Sequence, residues 1–192
     1  HQQQARCHPN PLRLARQQRG LRGVRLSQRA LGLRQMRGGG IEIARLISRA
    51  LRRAVDLKRL GERIILIDCD VIESDGGTRT ASITGGFVAL ALAIKRLRED
   101  GQAQTGILQN YVAGVSVGMV EGHSVLDLCY LEDSQADTDM NVVMTDKGEF
   151  IEVQGTGENR NFSRAQLDEM LNLATSGITT LTEIQRQVCS LT

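Results

Sequence analysis

Residues 112–154 read VAGVSVGMVEGHSVLDLCYLEDSQADTDMNVVMTDKGEFIEVQ, and this stretch decides the fold. It holds four runs rich in β-branched and apolar residues, at 112–120, 124–131, 140–145 and 149–154, each the length of a strand. The joins Glu121-Gly122-His123 and Asp146-Lys147-Gly148 are short and carry glycine, so hairpins and an antiparallel meander are expected. The join at 132–139 is longer and acidic.

Outward from this sheet the period changes to that of helices. Downstream, Ser163 and Gln166 have the spacing of a capping box, with Phe162 and Leu167 placed as a hydrophobic staple. A helix to about Ser176 is expected, closed by Gly177, with a further short helix marked by Ile178, Leu181, Ile184 and Val188. Upstream, the polar stretch 99–111 reads as a linker between two lobes. Before it, Ile83, Phe87, Leu90, Ala91, Ile94 and Leu97 form the apolar stripe of a helix. The loop Asp75-Gly76-Gly77-Thr78-Arg79-Thr80-Ala81-Ser82 feeds that helix from RIILIDCDVI (63–72), which reads as an inner strand. A first amphipathic helix runs from residue 41 to near Gly61, with Leu46, Ile47, Ala50 and Leu51 on one face and Arg45, Arg49, Arg52 and Arg53 on the other, solvated, face. Strands grouped together and helices set to one side predict an α+β class.

The 192 residues are 41% hydrophobic and 24% charged, and no apolar run of about twenty residues stands out as a membrane span. Neither a signal-peptide pattern nor a CxxC pair is present, so a reducing cytoplasm is the expected compartment. The net charge of +2 conceals two kinds of material. Residues 1–37 hold nine arginines and no acid, whereas residues 38–192 hold fifteen basic against 22 acidic residues. Without sustained periodicity the first segment is expected not to fold by itself. It reads either as a basic arm for nucleic acid or as foreign sequence from a frame-shifted or mis-joined start.

Two constellations can carry chemistry. In the loop 75–82, Gly76 and Gly77 let backbone N–H groups approach an oxyanion. Thr78, Thr80 and Ser82 add hydroxyls, Arg79 adds a charged fork, and a helix N-terminus follows. The bland alternative is an ordinary turn. In the second, Glu132, Asp133, Asp137 and Asp139 place four carboxylates within eight residues. Such crowding calls for a hard cation or a shared proton, unless the loop is simply solvated. Together an anion cradle and a carboxylate cluster make the minimum equipment for phosphoryl transfer.

At these residues a resemblance is specific. IEIARLISRALRRAVDLKRLGE (41–62), IDCDVIESDGGTRTASITGGFVALALAI (67–94), VAGVSVGMV (112–120) and LDLCYLEDSQADTDMNVVMTDKGEFIEVQGTGE (126–158) resemble ribonuclease PH, a family of phosphate-dependent 3′ exoribonucleases that trim transfer RNA precursors. The likeness runs from residue 41 onward. It implies a two-layer α+β fold with a mixed sheet packed on helices. The implied divisions are an atypical segment 1–37, the remainder of a first lobe at 38–102 and a second lobe at 103–192. Gly77, Thr78 and Arg79 are implied to bind phosphate. Asp133 and Asp139 are implied to be the catalytic carboxylates and to hold Mg2+ or Mn2+. The implied reaction uses inorganic phosphate to release nucleoside diphosphates from RNA 3′ ends, and reversal adds nucleotides. A cytoplasmic homo-oligomer, a hexameric ring acting in transfer and ribosomal RNA processing, is the implied setting.

The chain departs from the family pattern at its start. The N-terminal strands of the first lobe and a second phosphate-gripping arginine are expected just before residue 41, and Gly39 stands where that arginine falls, with Arg37 two residues earlier. The expectation is therefore an N-terminally truncated or frame-shifted member. A catalytically impaired remnant, serving as a structural ring subunit or an RNA-binding module, is the alternative.

Overall fold

A computed structural model describes residues 24–27, 40–71, 73 and 75–189. The elements run β1 (Val24–Ser27), α1 (Gly40–Arg53), α2 (Leu57–Leu60), β2 (Ile64–Ile67), α3 (Thr78–Glu99), β3 (Val112–Val120), β4 (His123–Leu126), α4 (Tyr130–Asp133), β5 (Thr138–Thr145), β6 (Phe150–Thr156) and α5 (Arg164–Cys189). The class is α+β, as expected.

The apolar stripe of α3 is buried at all six predicted positions. This helix is long and apolar enough to cross a membrane by composition. Here it is a core helix, 67% buried over its most apolar window, against α1, β3 and α5. Helix α1 also buries the predicted face, but it stops at Arg53 instead of continuing to Gly61. The polar stretch expected to be a linker is what ends it. Asp56 donates its N–H to Ile107 O at 2.8 Å, and Ala54 O accepts from Gln109 N at 2.8 Å. The Asp56 carboxylate then accepts from the N–H groups of Lys58 and Arg59 and starts the single turn α2. Stretch 100–111 is thus pinned to the first helix, with Ile107 buried.

Two expectations about strands need correction. The run 63–72 yields only the four-residue β2, which is half-buried, and the strand it pairs with is antiparallel β1. That strand lies inside the segment expected not to fold by itself, and it is held by β2; the rest of 1–37, and Gly39 beyond it, lie outside the described residues. The main sheet has order β4-β3-β5-β6 with every pairing antiparallel, so it is neither a meander nor mixed. Burial explains the order. Eight of the nine residues of β3 are buried, so it needs a neighbour on both sides, whereas β4 is half-exposed and suits an edge. The β3–β4 turn is Glu121-Gly122, with φ of 51° and 78°, the positive pair that a tight hairpin of native twist demands. The run 124–131 leaves the sheet at Asp127, whose φ is 60°.

One face of the sheet (Ala113, Val115, Val117, Met140, Val142 and Met144) packs on Met170, Ala174, Ile178 and Leu181 of α5. This helix is continuous where a break at Gly177 is expected. Gly177 serves packing instead, since a Cβ there would lie 2.9 Å from Leu126. The capping box at its start forms as predicted, with Ser163 N donating to Gln166 Oε1 and Gln166 N donating to Ser163 Oγ. The other face of β3 is kept small by Gly114, Ser116 and Gly118. There a Cβ on Gly114 would touch Thr80 at 3.4 Å, so the first turn of α3 sits directly on the sheet.

Gly118 pairs with Asp139 across the ladder, and a Cβ on it would lie 2.4 Å from Thr138 O and 2.8 Å from Leu128. Gly118→Ala is therefore expected to push β5 away at this point and to cost about 1–3 kcal/mol, as overpacking does. Urea unfolding of the variant beside Gly114→Ala, a glycine of the same strand and face where an added Cβ would meet its neighbours only at 3.4 Å, separates this crowding from a general glycine effect. A Gly118→Ala midpoint equal to the parent's would refute the close approach.

Candidate functional site

The two constellations meet. Gly76 (φ 91°) passes so close to the chain opposite that an added Cβ would lie 2.3 Å from Leu128 O. Asp75 reaches across as well, its carboxylate accepting from Tyr130 N at 3.2 Å. The phosphate-type loop is thus seated on residues 128–130, immediately before the acidic segment. Glycine is required here on both counts, positive φ and backbone proximity.

Gly77 follows in the left-handed region (φ 59°, ψ 23°) and begins α3 without a side-chain cap. The first-turn N–H groups therefore keep their capacity for an anion, reinforced by the helix dipole. Arg79 is exposed beside them. The expected contribution of three hydroxyls is corrected. Thr80 Oγ1 donates to Gly77 O and Ser82 Oγ to Thr78 O, both inside their own helix, and both side chains are buried. Thr78 alone of the three remains as a hydroxyl ligand.

The acidic segment also divides. Glu132 accepts from Cys129 N at 2.8 Å and holds the turn α4, while Asp137 pairs with Arg160 at 3.6 Å. Asp133 and Asp139 remain. Asp139 sits on β5 opposite Thr156. Its carboxyl is held above the ordinary aspartate value, first by burial and next by the charge of Asp133, while Arg79 pulls it back down. Those influences place Asp133, Asp139 and Arg79 in one electrostatic neighbourhood.

A third acid that sequence reasoning did not single out joins them. Glu158 also raises the Asp139 carboxyl. Its loop is tied to the acidic segment, because Asn159 N and Arg160 N donate to Asp137 O and Asn159 Nδ2 donates to Ala136 O at 2.9 Å. Glu158 lies two residues beyond Thr156, the register partner of Asp139, and only the strand pairing reveals that proximity.

Among the described residues no three His, Cys, Asp or Glu side chains converge as a protein-only metal cage. Two carboxylates beside an anion cradle are nevertheless the donor set Mg2+ commonly takes, since it keeps waters and completes its shell with substrate phosphate. A small cleft opens next to Arg79, lined by Glu42, Ile43, Leu46, Arg49, Glu152 and Gln154. Arg49 forks onto Glu152 there at 2.9–3.1 Å, so the α1 arginine face is partly an ion-paired wall of the cleft.

Comparison with known proteins shows the family. Residues 24–95 match domain 1 and residues 110–177 match domain 2 of a 3′ exoribonuclease family. A ribonuclease PH of Syntrophomonas wolfei is 52% identical over 162 residues, 84% of this chain and 68% of that protein. One from Bacillus cereus is 57% identical over 151 residues, 78% of this chain and 62% of that protein. The chain thus spans about two thirds of the length of these relatives. In structure it is similar to rice Rrp46, with a TM-score of 0.65, 17% identity and coverage of 81% of this chain and 68% of that one. It is also similar to a chain of the Archaeoglobus fulgidus exosome with RNA bound to the active site, with a TM-score of 0.61, 21% identity and coverage of 84% and 76%.

Proposed function

The chain belongs to the ribonuclease PH family of 3′ exoribonucleases, and on that premise we propose that it trims RNA 3′ ends by phosphorolysis, with transfer RNA precursors as the substrate class. The observation that carries the reading is the seating of the loop Asp75–Arg79 on the segment that leads into Asp133 and Asp139.

Inorganic phosphate is the co-substrate. It binds at the start of α3, to the backbone N–H groups, the Thr78 hydroxyl and the Arg79 guanidinium. Arg79 has the planar donor fork that suits a tetrahedral oxyanion. One phosphate oxygen attacks the last phosphodiester phosphorus. The new P–O bond forms as the bond to the 3′ oxygen of the penultimate nucleotide breaks. The products are a nucleoside diphosphate and an RNA shorter by one residue. The departing 3′ oxygen needs a proton, and Asp139, whose carboxyl is held above its ordinary value, is the group placed to retain and deliver one. As the alternative to that proton, Asp133 and Asp139 would together hold Mg2+ or Mn2+, which when bound would neutralise charge building on the phosphoryl oxygens. One phosphoanhydride-type bond replaces one phosphodiester, so nucleotide addition runs when diphosphates are in excess.

Cys69, Cys129 and Cys189 are free thiols, which supports a cytoplasmic setting. Assembly into a ring of like subunits, hexameric in the family, follows the same reading. The fold likeness to exosome chains supports the second reading, a ring subunit without catalysis, and the paired acids beside Arg79 speak against it. The deciding experiment incubates the chain with 3′-labelled RNA and Mg2+, with and without millimolar phosphate. Labelled nucleoside diphosphate released only with phosphate is the expected result; no release, or release of monophosphate, overturns the proposal.

A further inference from the structure

The chain has five aromatic residues, and four are engaged or remote. Phe87 is buried against Tyr111, with ring centroids 5.5 Å apart, and Tyr111 carries Arg186 over its ring at 5.1 Å. Phe162 packs on the core under the sheet. Phe150 starts β6 opposite Met144, five positions along β5 from Asp139, or roughly 17 Å at the rise of a strand. Tyr130 is the exception. It is 67% exposed, Leu131 beside it is 68% exposed, and together they form an apolar shelf on α4 three residues before Asp133.

The shelf is held rigid. Tyr130 N donates to Asp75 at one end of the phosphate loop, Tyr130 O accepts from Ser134 N at 3.0 Å, and the Glu132 carboxylate fixes the start of the turn at Cys129. Burying two large apolar side chains would ordinarily be worth more than displaying them, so their exposure at the mouth of a site marks a contact surface. The surrounding charge selects the contact. Glu132, two residues on, disfavours a phosphodiester at the shelf itself, whereas the face of a nucleobase is uncharged and stacks on an aromatic ring. Phosphate-seeking charge is supplied by Arg79, exposed at the start of α3 on the loop to which Tyr130 N is bonded through Asp75.

We propose that Tyr130, flanked by Leu131, carries a base in the 3′-terminal segment of the RNA and so sets the scissile phosphodiester against Asp133 and Asp139. The inference rests on the phosphorolysis reading and deepens it. Stacking tolerates any base, so the shelf positions the end of the strand without choosing its sequence.

The test measures binding of an unstructured, 5′-labelled oligoribonucleotide in phosphate-free buffer, together with KM for RNA and for phosphate. Tyr130→Ala is expected to weaken RNA binding about 5- to 150-fold and to raise KM for RNA, leaving KM for phosphate and the salt dependence of binding as in the parent. Tyr130→Phe is expected to match the parent. Unchanged RNA affinity in Tyr130→Ala overturns the shelf, and so does a loss of assembly size in that variant, which would assign Tyr130 to a contact with a second copy of this chain. A parent that releases no diphosphate while Tyr130→Ala still loses RNA affinity would sink the phosphorolysis reading and leave the shelf standing as an RNA contact.

Discussion

Asp139→Asn is expected to keep the fold, to raise thermal stability near neutral pH, and to lower phosphorolysis by about 10²- to 10⁴-fold, the usual range for losing a positioned acid or base. The three effects have one cause. Asp139 lies half-buried among acids, so burial, Asp133 and Glu158 all disfavour its ionised form. Its carboxyl in the folded chain therefore binds a proton above the pH at which an unfolded aspartate has lost it. In that window the folded state holds the extra proton. The contribution of Asp139 to stability is complete below the ordinary aspartate value and is lost as pH rises through the folded one. Asparagine has the same shape and no charge, so melting temperatures of chelator-treated parent and variant should diverge on going from about pH 4 to pH 7, with the variant the more stable. Asp133→Asn should lose turnover similarly and relieve Asp139 of the acid charge that raises it most. Full turnover in both variants would remove these residues from the reaction, and a neutral-pH Tm below the parent's would contradict the electrostatic account.

What could be read from the amino-acid order was local. The stripe of α3, the box Ser163/Gln166, the hairpin turn at Glu121-Gly122 and the loop 75–79 each depend on residues within a few positions of one another, and each formed. Strand order depends on partners far apart in the chain. The preference of β3 for two neighbours lies in the apolarity of its whole length, and only its burial separates order β4-β3-β5-β6 from a meander. Gly177 shows the same limit. A glycine after an amphipathic run predicts a cap, but its role depends on Leu126, fifty-one positions away. In the site, the acidic run could be read as a cluster, while its division into a turn-holder (Glu132), an ion-paired acid (Asp137) and the remaining pair Asp133 and Asp139 needed Cys129 and Arg160 in place. Glu158 emerged only through the register of Asp139 with Thr156.

Arg79→Ala is expected to raise KM for phosphate by about 10- to 150-fold, the equivalent of losing a charge-assisted hydrogen bond of roughly 1.5–3 kcal/mol. The loss should fall on phosphate because Arg79 stands at the helix start, where the backbone N–H groups carry only partial charge. Binding of RNA in the absence of phosphate should change far less, since the Tyr130 shelf is untouched. The substitution also removes a positive charge that pulls the Asp139 carboxyl down. Asp139 should then hold its proton to still higher pH, and the pH profile of turnover at saturating phosphate should shift upward. Arg79→Lys restores the charge without the fork, so it should recover the pH profile while recovering phosphate affinity only in part. Isothermal titration with phosphate, joined to pH–rate profiles of the three proteins, separates these roles. A phosphate affinity in Arg79→Ala equal to the parent's would place the anion elsewhere. A lysine variant with the alanine variant's profile would show that the Arg79 charge does not reach Asp139.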